Sequence, residues 1–489
     1  MKFFIQFFLC GILTGFLFPP FFLIPIGFII FPYLFHLSQS KQFISLNYKY
    51  HFFSGFFYGL GFFSIYLMWI KEPFFLDDLT KNYFIFSYLL IIYCSLFFGV
   101  IFFILKFFNN ILMKFIIFPG LIVSAEFLCA NLSYGFPWFS FSLIHAANFA
   151  GTSIIFYTGT YGLSFISLVI FLFPAFFLIN ELNEKKIILK TYLILFIVLA
   201  LLIISRVKSN DINFTNQINV SLAQINLPIN QMLNNSKIED KFEYIIDTIK
   251  KNNSDIVVFA ENNYPFILEK KDSQILQNSL KPGTSLIIGS TRKESENYFN
   301  SMFLIDQEKI SKFDKKILVP FGEFIPLRKF FGFMDFIAGS VDYSVGEGTR
   351  KLKLSDKIKI LPVICYEIVY FWEMLDQKNI DTNIIINITN DSWFGNFSGP
   401  YQHFYFSKLR AAEFNKPLIR VSNNGISAAI DNYGTIIDFI GLNNQLTKEI
   451  KVYIPDVQMN YLLLHKLIMF IIFLSIIIGL LINRLYDSK

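Results

Sequence analysis

The 489-residue chain is 54% hydrophobic and 19% aromatic but only 16% charged, with a mean hydropathy of +0.50. This is the balance of a membrane protein and excludes an ordinary soluble globule. The net charge of +6 comes without a Lys/Arg block, so nucleic acid is excluded as a partner and at most a weak preference for anionic lipid is implied.

Crossing a bilayer takes about 20 apolar residues with few charges. Seven such runs are expected before a polar region and one after it: Phe3 to Phe18, Phe21 to Leu37, Phe52 to Ile70, Tyr83 to Leu105, Ile111 to Cys129, Ile154 to Ile179, Ile187 to Ile204 and Leu462 to Ile482. The first two are separated only by Pro19 and Pro20 and read as a tight helical hairpin. No small-residue cleavage site follows the first run, so it is not read as a signal peptide. The 64 phenylalanines are read as a compositional bias rather than a functional stripe.

Lysines and arginines accumulate on the cytoplasmic side of membrane proteins. Lys41 and Lys49, Lys106 and Lys114, then Lys185, Lys186 and Lys190 fall in alternate loops. This places both termini in the cytoplasm and the polar region on the opposite face, with Arg206 and Lys208 arguing against it. Domain boundaries are expected at 1–210 for a seven-helix bundle, 215–456 for the polar domain, 460–483 for a last membrane helix and 484–489 for a cytoplasmic tail. Within the bundle Glu126 stands out, because an ionised group in hydrocarbon faces a partner or a wet cavity. The stretch Tyr134-Gly-Phe-Pro-Trp138 reads as a turn with an interfacial tryptophan anchor, and His145 as a polar loop residue.

From about Ile218 to Ile454 short apolar runs (Ile218 to Ala223, Ile256 to Phe259, Leu286 to Gly289, Lys359 to Ile364, Asn383 to Ile388, Pro417 to Val421) alternate with helical stretches such as Ile238 to Lys251. Strands that are apolar throughout are covered on both faces, which predicts an α/β layered domain. Three of its peptides end a strand on a reactive group. They are Val257-Val-Phe-Ala-Glu261, Lys315-Lys-Ile-Leu-Val-Pro-Phe-Gly-Glu323 and Val363-Ile-Cys365-Tyr-Glu367. Cys365 is the only one of the four cysteines outside the greasy segments and has no disulfide partner nearby. A thiol that attacks a carbonyl needs a base for its proton and a cation or N–H groups for the oxyanion, and Glu261, Lys315 and Cys365 supply those parts. Taken singly each has a duller explanation, a buried small hydrophobe for the cysteine and solvated charges for the others. Their shared placement after apolar strands favours the site.

These peptides, with Asn390-Asp-Ser-Trp-Phe-Gly395, resemble the motifs of apolipoprotein N-acyltransferase, the membrane branch of the nitrilase superfamily. The resemblance spans nearly the whole chain. It implies a polytopic α-helical membrane bundle plus an α/β nitrilase-like extracytoplasmic domain, an αββα sandwich, in the bacterial inner membrane with the catalytic domain on the periplasmic side. It implies Glu261 as general base, Lys315 as stabiliser of the tetrahedral intermediate and Cys365 as nucleophile, supported by Glu323, Tyr366 and Glu367. The implied reaction moves an acyl chain from a phospholipid to Cys365 as a thioester, then to the α-amino group of the lipid-modified amino-terminal cysteine of an apolipoprotein. No metal or cofactor is implied, in keeping with dispersed cysteines and a single histidine, His403, in the polar domain. A Walker loop and a Gly-x-Ser-x-Gly elbow are also missing.

The chain departs from the family pattern in three places. Phe259-Ala260 stands where Trp-Pro is common, Met232 stands near a usual substrate-contacting tryptophan after Asn226-Leu-Pro228, and Cys129 replaces an arginine that often follows Glu126. Met232, Trp393 and Phe394 are the candidate substrate-binding residues. The apolar segment Phe330 to Gly339 is expected to be a lid dipping into the headgroups, hinged at Gly332 and Gly339, or else a helix packed on the sheet. Gly395 to Gly399 and Asn423-Asn-Gly425 are expected to frame the pocket mouth. Two rival readings are a membrane-tethered amidase, with water as acyl acceptor, and a channel or scaffold carrying an inactive domain.

Overall fold

The computed structural model describes every residue except 77, 79, 109, 179–181, 209–213, 228–234, 332–340, 375–380, 456–461 and 488–489. It divides into two compact units, one of Met1–Ile70, Ile85–Asn210 and Tyr461–Lys489, the other of Lys71–Phe84 and Asp211–Asn460. The loop Lys71–Phe84, which the sequence reading leaves in the bundle, therefore belongs with the polar domain. Met232 and nearly all of the expected lid lie outside the described residues.

The first unit contains α1 (Lys2–Gly15), α2 (Gly27–Gln39), α3 (Tyr48–Tyr66), α4 (Ser87–Leu105), α5 (Ile111–Asn131), α6 (Phe149–Leu172) and α7 (Leu182–Lys208). Among the described residues, five helices are long and apolar enough to cross a membrane, including the carboxy-terminal one. At about 1.5 Å per residue, the 14-residue α1 and 13-residue α2 fall short of a bilayer's hydrocarbon core of roughly 30 Å. With no hydrophobic drive between helices in lipid, association relies on close backbone approach at small residues. A Cβ at Gly11 of α1 would lie 2.0 Å from the Tyr58 carbonyl of α3, and one at Gly55 would lie 2.2 Å from the Phe98 carbonyl of α4.

Glu126 is buried on α5, and its carboxylate accepts the hydroxyls of Ser140 at 2.6 Å and Ser164 at 3.1 Å and the Phe141 N–H at 3.1 Å. The carboxyl group thus pins the loop after α5 to α6 through donors that no motif identified. Trp138 overturns the anchor expectation. It is fully buried, 4.6 Å from the Trp69 ring, with its carbonyl taking the Tyr66 hydroxyl at 2.6 Å. Gly135, with φ +68°, still makes the turn.

In the second unit two six-stranded sheets form. The first has the order β12-β1-β2-β3-β4-β5, with β1 Phe214–Gln224, β2 Ile256–Phe259, β3 Ser285–Glu294, β4 Asn297–Ile305, β5 Ile310–Asp314 and β12 Leu446–Pro455. The second has the order β11-β10-β9-β8-β7-β6, with β6 Leu352–Lys353, β7 Lys359–Ile364, β8 Ile384–Thr389, β9 Leu418–Ser422, β10 Ser427–Ile430 and β11 Ile436–Ile440. β1 and β2 face β9, and β4 faces β7. The helices α8 (Asn235–Lys251) and α9 (Lys270–Ser279) cover the first sheet, burying Ile245, Ile249 and Leu276 against Val257, Phe259, Leu286 and Ile288. α10 (Gly399–Phe414) packs against β9 of the second. β1, β2 and β3 run parallel, as do β7, β8 and β9. β2, β8 and β9 are buried throughout and β7 nearly so, as expected for covered α/β layers, whereas β1 and β3 each carry exposed polar residues towards one end. The strands that the sequence reading passes over, β4, β5, β6 and β10 to β12, pair antiparallel, and several alternate buried with exposed residues as half-wetted strands do.

Candidate active site

Ligand sites in open α/β sheets lie beyond the carboxyl ends of parallel strands. Glu261 follows β2 and Cys365 follows β7 in that way, while Lys315 directly follows the antiparallel β5. The structure brings these three expected residues together. Lys315 Nζ lies 3.4 Å from Glu261 Oε1 and 2.9 Å from Glu323 Oε1, and the buried Cys365 thiol feels the charges of both Glu261 and Lys315. Glu261 Oε2 accepts the Asn390 N–H at 2.9 Å, so the end of β8 aims the carboxylate from the opposite sheet. The turn carrying Glu261 is tied by the Ala260 N–H donating to Asn263 Oδ1 at 3.0 Å, and Asn262 takes φ +49°, a conformation asparagine tolerates well.

Cys365 itself has φ +51°. That position costs on the order of 1–3 kcal/mol for a residue other than glycine, and the surroundings determine it from several directions. Glu367 Oε2 accepts the Ile364 N–H at 2.9 Å, and His403 Nε2 lies 3.3 Å from the Cys365 carbonyl.

The electrostatics follow from burying two carboxylates with one ammonium. Burial raises Glu261 above the ordinary carboxylate range and Glu323 adds to this, while Lys315 and an Asn300 hydrogen bond pull the other way. Burial opposes the charge of Lys315, but Glu323 and Glu261 outweigh it and keep the ammonium protonated. Burial, reinforced by Glu261, pushes the Cys365 thiol well above its usual value, so the resting group is SH and not S⁻.

The supporting residues separate. Glu323 contacts Lys315 and Asn300 directly. Glu367 does not touch that cluster: it holds the buried Arg350 guanidinium at 2.7 Å and accepts the Lys316 and Ile317 N–H groups at 2.9 and 3.2 Å. It therefore joins the start of the Lys315 loop to the elbow at Cys365. Burial works against its charge, but Arg350 and these N–H groups hold its carboxyl below the usual range. Breaking a buried pair by removing one partner leaves an uncompensated charge and costs about 3–5 kcal/mol. Arg350→Ala is accordingly expected to lower the urea midpoint by that amount of stability. A loss below about 1 kcal/mol would show that the pair is dispensable.

Tyr366 turns to Tyr370, hydroxyl to hydroxyl at 3.1 Å. Phe394 is buried edge-on to His403 at 5.2 Å, whereas Trp393 is 36% exposed. Asn423 is buried rather than framing a mouth: its Oδ1 accepts from Asn263 Nδ2 and the Leu227 N–H. At Gly395, with φ +66°, a Cβ would strike Glu72, which brings the Lys71–Phe84 loop against the Trp393 segment.

Three features escaped the sequence reading. Asn300 on β4 donates to both Glu261 and Glu323. Arg350 pairs with Glu367. His403, noted only as the polar domain's single histidine, lies 2.8 Å from Asp391 Oδ1, whose Oδ2 binds Arg420 at 2.6 Å, all three fully buried. Asn300 sits in a strand that also carries Asn297 and Ser301, so no sequence signal set it apart.

A model described as the apolipoprotein N-acyltransferase N-terminal domain matches residues 10–173, and one described as carbon-nitrogen hydrolase matches 219–462. An apolipoprotein N-acyltransferase of Rickettsia typhi is 32% identical over 463 residues, covering 89% of each chain. One of Rickettsia prowazekii is 31% identical over 467 residues with the same coverage. Among solved structures, Nit3 of Saccharomyces cerevisiae, a member of branch 10 of the nitrilase superfamily, is 16% identical with a TM-score of 0.37, covering 49% of this chain and 91% of its own.

Proposed function

The chain belongs to the apolipoprotein N-acyltransferase family, and on that basis we propose that Glu261, Lys315 and Cys365 transfer an acyl chain from a phospholipid to the α-amino group of a diacylglyceryl-modified apolipoprotein. It is a membrane-embedded acyltransferase of lipoprotein maturation. The observation that carries the proposed roles is the buried cluster in which Lys315 lies 3.4 Å from the Glu261 carboxylate, with the buried Cys365 thiol within electrostatic reach of both.

Because the resting thiol is protonated, Glu261 takes its proton as sulfur attacks the ester carbonyl. Lys315 Nζ faces the developing oxyanion. Collapse expels the glycerol oxygen, which takes the proton back from Glu261 and leaves as lysophospholipid, and the acyl group stays on Cys365 as a thioester. The acceptor amine then attacks that thioester, Glu261 removes the amine proton, and the tetrahedral adduct breaks to an amide and the Cys365 thiol. In both steps Glu261 must start ionised. Activity is therefore expected to fall as pH drops through a value above the ordinary carboxylate range, the direction in which burial moves this group.

The catalytic unit belongs on the periplasmic side in this proposal, with both termini in the cytoplasm. Support comes from the alternate lysine-bearing loops. Arg206, which opposed that orientation, is buried with its guanidinium 3.9 Å from the Phe156 ring centroid, so it does not count as a loop charge.

The test is mass spectrometry of the Cys365 peptide after the purified full chain meets phospholipid. A hydroxylamine-labile acyl adduct on Cys365, discharged when a diacylglyceryl peptide with a free amine is added, is the expected result. An unmodified peptide alongside active transfer would refute the thioester route.

A further inference from the structure

Asn300 has no part in the reading above, yet it touches every charged member of the cluster. Register explains why. β4 and β5 pair Ser301 with Asp314, which sets Asn300 opposite Lys315, and the Lys315 N–H donates to the Asn300 carbonyl at 2.8 Å. The side-chain amide then donates to Glu261 Oε1 at 2.7 Å and to Glu323 Oε1 at 2.8 Å. Lys315 Nζ bridges the same two oxygens at 3.4 and 2.9 Å. Two donors and two acceptors alternate around a closed ring, so each carboxylate oxygen receives one ammonium and one amide contact. The amide orientation is dictated, because turning it over would set Oδ1 against two carboxylates. Asn300 Oδ1 meanwhile has no protein donor among the described residues. An asparagine kept for stability would satisfy both ends in a buried site, whereas this one serves only the carboxylates.

We propose that Asn300 is a positioning residue that holds Glu261 and Glu323 together around the single ammonium of Lys315, keeping Glu261 ionised and aimed as base. This rests on the reading of Glu261 as the base. Two buried carboxylates sharing one cation repel, and the cheapest relief is a proton on one of them. On Glu261 that proton would silence the base. Two N–H groups, one for each carboxylate, stabilise the doubly ionised form instead. The groups facing Glu261 are Lys315 after β5, Glu323 in the Val319–Glu323 turn, Cys365 after β7 and Tyr343. Of these only Lys315 brings a positive charge, which is why a neutral donor matters.

The test is the pH dependence of Cys365 alkylation by iodoacetamide in the full-length enzyme in detergent, read from the Cys365 peptide and compared for wild type, Asn300→Ala, Asn300→Asp and Glu261→Gln. This needs no lipid substrate. Asn300→Ala is expected to slow alkylation near neutral pH by about 10²-fold and to move the acid midpoint up by about one unit. Asn300→Asp, which keeps the shape and adds a third carboxylate, is expected to move it at least as far. A wild-type midpoint in both variants overturns the proposal, whether the rate is unchanged or the labelled fraction merely falls with misfolding. If Glu261→Gln alkylates at the wild-type rate, the base assignment itself fails. If Glu261→Gln is slow and both Asn300 variants behave as wild type, only the Asn300 inference fails.

Discussion

Replacing Cys365 by alanine is expected to leave a folded protein that transfers no acyl group, with a loss of about 10⁶-fold, the scale seen when a covalent nucleophile is removed from a cooperating set. Alanine fits because the elbow does not depend on the sulfur. Glu367 accepts the Ile364 N–H, His403 reaches the Cys365 carbonyl, and the φ of +51° is no harder for alanine than for cysteine. Cys365→Ser separates geometry from chemistry. A serine hydroxyl would occupy the same place beside Glu261, but it is a far weaker acid than a thiol and a poorer nucleophile. Its transfer rate is expected to lie well below that of wild type although the group still faces Glu261. Transfer above one-hundredth of the wild-type rate in purified Cys365→Ala, measured with a diacylglyceryl peptide, would remove Cys365 from the mechanism.

The second large effect is at Lys315. Lys315→Ala is expected to lower transfer by about 10²–10³-fold, as removal of one oxyanion donor does, and to destabilise the domain by about 3–5 kcal/mol, since two buried carboxylates lose their cation. The two losses should respond differently to the carboxylates. Combining Lys315→Ala with Glu323→Gln removes one stranded charge and is expected to recover part of the stability without recovering turnover. Lys315→Arg is not expected to rescue activity, because a planar guanidinium cannot replace a compact ammonium bridging two oxygens at 2.9 and 3.4 Å in a closed pocket. Urea unfolding and single-turnover acylation, run on the same samples, check both halves. Full recovery of turnover in the double variant would mean that Lys315 only neutralises Glu323.

The two effects differ in kind because the residues hold different places in the packing. In the proposed mechanism Cys365 is a nucleophile carried by a frame that stands without it, so its loss is purely chemical. Lys315 is part of the frame as well. The same reasoning ranks Glu323 with the triad and Glu367 apart from it, although the sequence reading grouped them. Glu367 lies two residues from the nucleophile yet spends its charge on Arg350, seventeen positions upstream. Nearness along the chain was a poor guide there. A short helical turn after Cys365 rotates successive side chains to different sides.

Local chemistry made much of this protein legible from residues alone. Apolar runs long enough for a bilayer, enclosed parallel strands and a reactive group at each strand end are all properties of neighbouring residues, which is why Glu261, Lys315 and Cys365 could be picked out as candidates. Other features are contacts between segments remote in the chain, and only the tertiary structure decided them. The sharing of Glu261 and Glu323 between Lys315 and Asn300 arises from the β4–β5 register and from the layering of two sheets. The hydroxyls around Glu126 come from a loop and from α6, and Trp138 is a core residue because Trp69 covers it. A sequence carries each residue's chemical capacity, but the partner that sets a buried group's charge is chosen by three-dimensional packing, where desolvation makes every such contact count.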